Sequence, residues 1–211
     1  AASFLTSEDL GLYAGAVDLF EKFWALPEAV ATMLLPTVAA RQTQDSGKVT
    51  VLVVRHVFWV TILLALGVGV FAKPVIVMLF GSAFAPASDL LRILLPSAAM
   101  LTIIRLISVD YAGRGKPEFG ALIAIIDLVV MLLMMLLLSP WLGINGVAIA
   151  TMTGYTLAAF VAAQLFVRKH GIGLGELVIP EVSDLRIYGH LFSIAKHRFR
   201  KACAALLTRI W

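Results

Sequence analysis

The chain has 211 residues, 61% of them hydrophobic and only 14% charged, with a mean hydropathy of +0.96. A soluble domain carries about 45–50% apolar and about 25% charged residues, so a water-soluble globule is excluded and a polytopic helical membrane protein is expected. The net charge of +4 is uneven: residues 1–167 hold nine Lys/Arg and ten Asp/Glu, and the rest hold eight and three. This places a basic tail behind a nearly neutral membrane part, a distribution that suits an anionic membrane surface and not nucleic acid.

The first predicted helix runs from Leu12 to Val38 and is long enough to cross a bilayer, yet it carries Asp18, Glu21, Lys22 and Glu28. At about 100° per residue, Gly11, Ala14, Gly15, Asp18, Glu21, Lys22, Ala25, Glu28, Ala29 and Thr32 share one side. Leu12, Tyr13, Val17, Leu19, Phe20, Phe23, Trp24, Leu26, Val30, Met33 and Leu34 share the other. Charges at membrane depth normally face a bundle interior or a watery cavity. This helix is therefore expected to form a cavity wall.

A polar loop, Arg41 to Lys48, follows. The second apolar run goes from about Val51 to Ala72, with Lys73-Pro74 kinking a continuation to Phe80. The third helix is predicted from about Ser88 to Ala112, broken by Gly113-Arg-Gly-Lys-Pro117. The fourth runs from about Phe119 to Leu138 with a single charge, Asp127. Residues 139–146 form a tight reversal, and the fifth helix runs from about Ile144 to Val167. Its small residues Gly146, Ala150, Gly154, Ala158 and Ala162 recur every four positions, a ridge that lets helices pack closely in lipid.

The expected fold is thus all-α: a transmembrane bundle of about five spans over residues 1–170, then a basic tail over 171–211. Within the tail, Leu185, Tyr188, Leu191, Phe192, Ala195, Phe199, Cys203, Leu206 and Ile210 share a helical face. An amphipathic helix lying on the inner leaflet is expected there. Lys/Arg flank the first, third and fifth spans on one side, so the N-terminus is expected outside and the C-terminus in the cytoplasm. A first helix that enters from outside suggests further spans upstream.

Chemistry-bearing motifs are sparse. There is no GxxxxGK[ST], HExxH or GxSxG pattern and no metal-like His/Cys spacing, and nothing pairs a nucleophile with a base. An enzyme, a metal centre and a cofactor are not expected. The lone Cys203 excludes an intrachain disulfide. The informative residues are the intramembrane charges. Arg105 and Asp127 lie at similar depths, roughly 10–12 Å from the same end at 1.5 Å per residue. They suit either a structural ion pair or a substrate or coupling role. Lys22 with Asp18 and Glu21 is open in the same way. Glu28 has no local partner in sequence and is the candidate for proton exchange.

Asp9-Leu-Gly-Leu-Tyr-Ala-Gly-Ala16, Pro36 before a basic loop, Leu79-Phe-Gly-Ser-Ala-Phe84, Gly115-Lys-Pro117 and Gly143-Ile-Asn-Gly-Val-Ala-Ile-Ala-Thr151 together resemble a known pattern. Their order is similar to the C-terminal half of the polysaccharide transporter, or oligosaccharide-unit flippase, family. That family belongs to the multidrug/oligosaccharidyl-lipid/polysaccharide exporter superfamily, and the resemblance covers about Asp9 to Val167. It implies two pseudo-symmetric bundles working by alternating access in the cell's inner membrane, this chain supplying one and a missing N-terminal half the other. It implies a lipid-linked glycan substrate on an isoprenoid pyrophosphate, flipped for polysaccharide export. Asp127 departs from the pattern, which often has Asn there. On this reading Lys22 and Arg105 bind the pyrophosphate, Asp18 and Glu21 contact the sugars, and Glu28 and Asp127 serve coupling or ion pairing. A cation-coupled multidrug extruder of the same superfamily and a non-transporting membrane scaffold are the alternatives.

Overall fold

In the computed structural model the described residues are 6–40 and 45–180, and every regular element among them is helical. The described residues up to Val178 form one compact unit. The amphipathic helix expected over Asp184–Trp211 lies outside the described residues.

Helix α1 spans Ser7–Glu21. Thr6 starts it with a reciprocal cap: the Asp9 amide donates to Thr6 Oγ1 at 3.2 Å, and the Thr6 amide donates to Asp9 Oδ2 at 3.0 Å. A 3₁₀ turn, Lys22–Trp24, leads into α2, Ala25–Ala40. The tighter turn falls where Pro27 withholds the N–H that the Phe23 carbonyl would accept in an α-helix. Together the three pieces make one membrane-length helix, Ser7–Ala40. Pro36, two residues before the expected end at Val38, is passed through, and the helix continues to Ala40. One lost bond is tolerable in a membrane helix where hydroxyls re-satisfy nearby carbonyls, and Thr37 Oγ1 donates to the Met33 carbonyl at 2.8 Å.

Helix α3, Asp45–Val70, begins three residues before the expected end of the polar loop. It breaks at Phe71, and α4 resumes over Ala72–Phe80. The break sits one turn before Pro74, which leaves the Val70 carbonyl without its usual donor. After a 3₁₀ turn at Ser82–Phe84, α5 runs from Ala87 to Gly113. This is the central helix. The elements α1, α2, α3, α4 and α6 all pack on it, and Leu91, Leu94, Leu106 and Ile107 are wholly buried.

Helix α6, Glu118–His170, is two spans joined at Gly143, whose φ of 55° and ψ of −132° are open to glycine and strained for other residues. A continuous helix would hold Leu138 and Gly146 roughly 12 Å apart. Here a Cβ on Gly146 would lie 2.5 Å from the Leu138 carbonyl oxygen. Further out, a Cβ on Gly154 would lie 3.2 Å from the Asp127 carbonyl oxygen and 3.1 Å from Met131 Cβ. The chain therefore reverses at 139–146, and the arms run back antiparallel at backbone contact. All five ridge residues, Gly146, Ala150, Gly154, Ala158 and Ala162, are buried. Counting both arms, the described residues contain five helices of membrane-crossing length and composition.

The basic segments meet at one end of this bundle. There His170 packs on Gly47, and the Lys169 ammonium lies 4.1 Å from the Tyr111 ring centre. Tyr111 in turn stacks on Phe119 at 3.8 Å. A short helix α7, Leu174–Val178, closes this end. It belongs to the compact unit and not to the tail: Leu177 is wholly buried, Arg55 Nε donates to the Glu176 carbonyl at 2.9 Å, and Trp59 Nε1 to the Val178 carbonyl at 2.7 Å.

Candidate functional site

The polar side of α1 and α2 is where the membrane-depth charges gather. Gly11, Ala14, Asp18, Glu21, Lys22, Ala25, Ala29 and Thr32 are all exposed, and only Gly15 of the predicted set is buried. The opposite side divides. Ala16, Phe20, Ala31, Leu34 and Val38 are buried, whereas Trp24, Met33 and Leu35 face outward. The helix thus presents a polar stripe away from the apolar core, set by the 3.6-residue period.

Two ion pairs lie along the stripe. Lys22 Nζ sits 3.0 Å from Asp18 Oδ1, one turn back on the same helix. Deeper in, Arg105 reaches from α5 to Glu28 on α2 in a two-pronged pair: Nε donates to Oε2 at 2.6 Å and Nη2 to Oε1 at 2.7 Å. Their side chains remain 32% and 40% exposed, so the pair borders the stripe and can be reached from it. This planar fork is the strong form of a charge-assisted bond.

This arrangement decides between the open alternatives for the pairing of Arg105 and gives Glu28, which has no local partner in sequence, a distant one. Arg105 pairs with Glu28 and not with Asp127. Equal depth along two helices says nothing about rotation, and α5 turns Arg105 toward α2. Asp127 instead faces the second arm of α6, against Gly154. A Cβ at Gly154 would lie 2.7 Å from Asp127 Oδ1, an oxygen that is buried and has no hydrogen-bond partner among the described residues. The glycine makes the room this carboxylate occupies. On the same arm, Tyr155 stacks on Phe20 at 6.2 Å, and Thr151 is hydrogen-bonded to the Tyr13 hydroxyl at 2.9 Å. These two contacts dock the hairpin on α1.

A second polar cluster was not anticipated as a unit. Asp110, fully buried in α5, accepts from Thr50 Oγ1 at 2.7 Å and from Arg114 Nε and Nη2 at 2.7 and 3.1 Å. The four-residue spacing of Asp110 and Arg114 is a signal that a helix pairs them. The Thr50 contact is tertiary and leaves no trace in local sequence. Both oxygens of Asp110 are engaged, so the cluster ties α3 to α5. No group of three or more His, Cys, Asp or Glu residues that could hold a metal ion occurs among the described residues.

The fold defines the class: an all-α, polytopic membrane protein with a polar stripe along one spanning helix. No match to a protein-family model, a curated protein or a solved structure was found for the chain.

Proposed function

We propose that the chain is part of a membrane transporter, with the α1–α2 stripe as one wall of an aqueous path and a lipid-linked oligosaccharide as the cargo. The supporting observation is the Arg105–Glu28 pair, a two-pronged ion pair at membrane depth that is left half-open toward the stripe. An enclosed pair is costly to break, because separating it leaves an uncompensated buried charge. An accessible one is open to exchange. Glu28 holds the guanidinium while the path is empty, and a diphosphate, whose oxygens can accept the same two N–H bonds, takes its place. The displaced carboxylate is then free to accept a proton, which couples binding to proton movement. Asp18 and Glu21 supply acceptors for sugar hydroxyls, and Lys22 adds a second cation.

A cation-coupled extruder is the second reading, favoured by the balance of the stripe itself. Asp18, Glu21 and Glu28 outnumber Lys22 and Arg105, and both cations are already paired with carboxylates. The two readings separate on Glu28→Gln. Removing the competing carboxylate strengthens diphosphate-lipid binding if the cargo is anionic, and abolishes cation transport if the acids carry it.

The test of the substrate role uses Arg105→Ala, Glu28→Gln and the double variant, with glycan export and membrane abundance measured in each. The expected result is export lost in Arg105→Ala and in the double variant, at near-normal abundance in the double. Export restored in the double variant would reduce Arg105 to a structural partner of Glu28.

A further inference from the structure

An apolar groove of about 640 Å³ lies between α3 and α5, away from the polar stripe. Ala65, Gly69 and Ala99 give it small walls, Leu66 and Val70 form an outward rim that is 63% and 71% exposed, and Arg92 closes one end. From Arg92 to Met100 the groove follows two turns of α5, roughly 12 Å along the axis. Arg92 lies within the first two turns of α5, near the boundary on the side of the Ser82–Phe84 turn. A cation therefore stands at the mouth, and the groove beyond it is lined by apolar side chains.

The cation is held in place and only partly used. Arg92 Nε donates to the Gly69 carbonyl at 3.2 Å, which pins the guanidinium across the groove end, and Nη1 donates to Asp89 Oδ1 at 2.9 Å. The Arg92 and Asp89 side chains are 45% and 74% exposed, so this ion pair is a weak competitor for a stronger anion. Pro96, also in the lining, deprives the Arg92 carbonyl of its helical donor. The mouth thus offers guanidinium N–H groups, matching a headgroup that carries phosphate oxygens.

We infer that this groove binds one chain of an anionic phospholipid, with the phosphate against Arg92 and the acyl chain along Leu66, Leu95 and Met100. The occupant follows from charge complementarity. In the membrane the abundant ligand with a flexible apolar chain and an anionic head at the interface is a lipid, and Arg92 selects the head. The inference is independent of the transport reading, because no residue of the stripe takes part.

The experiment is native mass spectrometry of the full chain extracted with dioleoyl phosphatidylglycerol or dioleoyl phosphatidylcholine. Wild type is expected to retain one phosphatidylglycerol in preference to phosphatidylcholine. Arg92→Gln should weaken that retention about tenfold, the scale of one hydrogen bond to a charged group. Asp89→Asn should strengthen it, since it removes the competing carboxylate. Leu66→Trp, at an exposed rim position, should reduce retention of both lipids by filling the groove. Lys116→Gln, at the opposite end of α5, should change nothing. Equal retention of the two lipids by wild type, or unchanged retention in Arg92→Gln, would overturn the proposal. If Arg92→Gln does not fold, Asp89→Asn decides: increased phosphatidylglycerol retention supports the site, and no increase overturns it.

Discussion

The α6 hairpin and the α1–α2 helix are both long and apolar enough to cross a membrane, but they face different neighbours. In the hairpin, Gly146, Ala150, Gly154, Ala158 and Ala162 bring one arm against the next at backbone contact, while Leu132, Leu133, Leu136 and Leu137 turn outward. Its mid-span charge, Asp127, is tucked against Gly154. In α1–α2 the small residues Ala14, Ala25 and Ala29 are exposed, interleaved with Asp18, Glu21 and Lys22. The same residue size serves contact in one helix and open space in the other. What separates them is the company the small residues keep: Leu and Met in the hairpin, carboxylates and ammonium in the stripe. Small residues beside charges mark a surface that water or a polar cargo can approach, and small residues beside leucines mark a seam.

If that contrast holds, substitutions in the two regions should have very different costs. Gly146→Val should have the largest effect. Its Cβ would meet the Leu138 carbonyl at 2.5 Å, backbone that cannot move aside without opening the hairpin. Overpacking of this kind costs about 1–3 kcal/mol and sometimes more, read as a lowered midpoint of unfolding in denaturing detergent mixtures. A midpoint unchanged from wild type would remove the seam from the account. At the other extreme, Lys22→Ala should cost no more than about 0.5 kcal/mol in the same assay, the value of an exposed pair one turn apart. A loss as large as that of Gly146→Val would mean the stripe is enclosed after all.

The distinction also explains which parts of the structure were legible in the sequence. Spans and reversals are local: apolar length, the Gly143 turn and the four-residue ridge each require only a short window, and each stands as expected. A boundary slipped where proline acts at a distance of four residues, at Phe71 before Pro74. The polar face of α1–α2 was visible because a single helix carries its own period. The partner of Arg105 was not, because Glu28 lies 77 residues away on α2, and the rotation of α5 is set by packing against elements from both ends of the chain. Asp110 was half legible, through Arg114 one turn on and not through Thr50.

The central claim, that the α1–α2 stripe is a wetted wall, is tested most directly by thiol accessibility in intact membranes. With Cys203 replaced by Ser, single cysteines at Ala14, Ala25 and Ala29 are compared with cysteines at Leu132 and Leu136 on the outward face of the hairpin. A water-soluble maleimide should label the three stripe positions readily and the two hairpin positions scarcely at all, since thiolate forms only where water reaches. Equal, slow labelling at all five would contradict the account and make the stripe a lipid-facing or tightly packed surface.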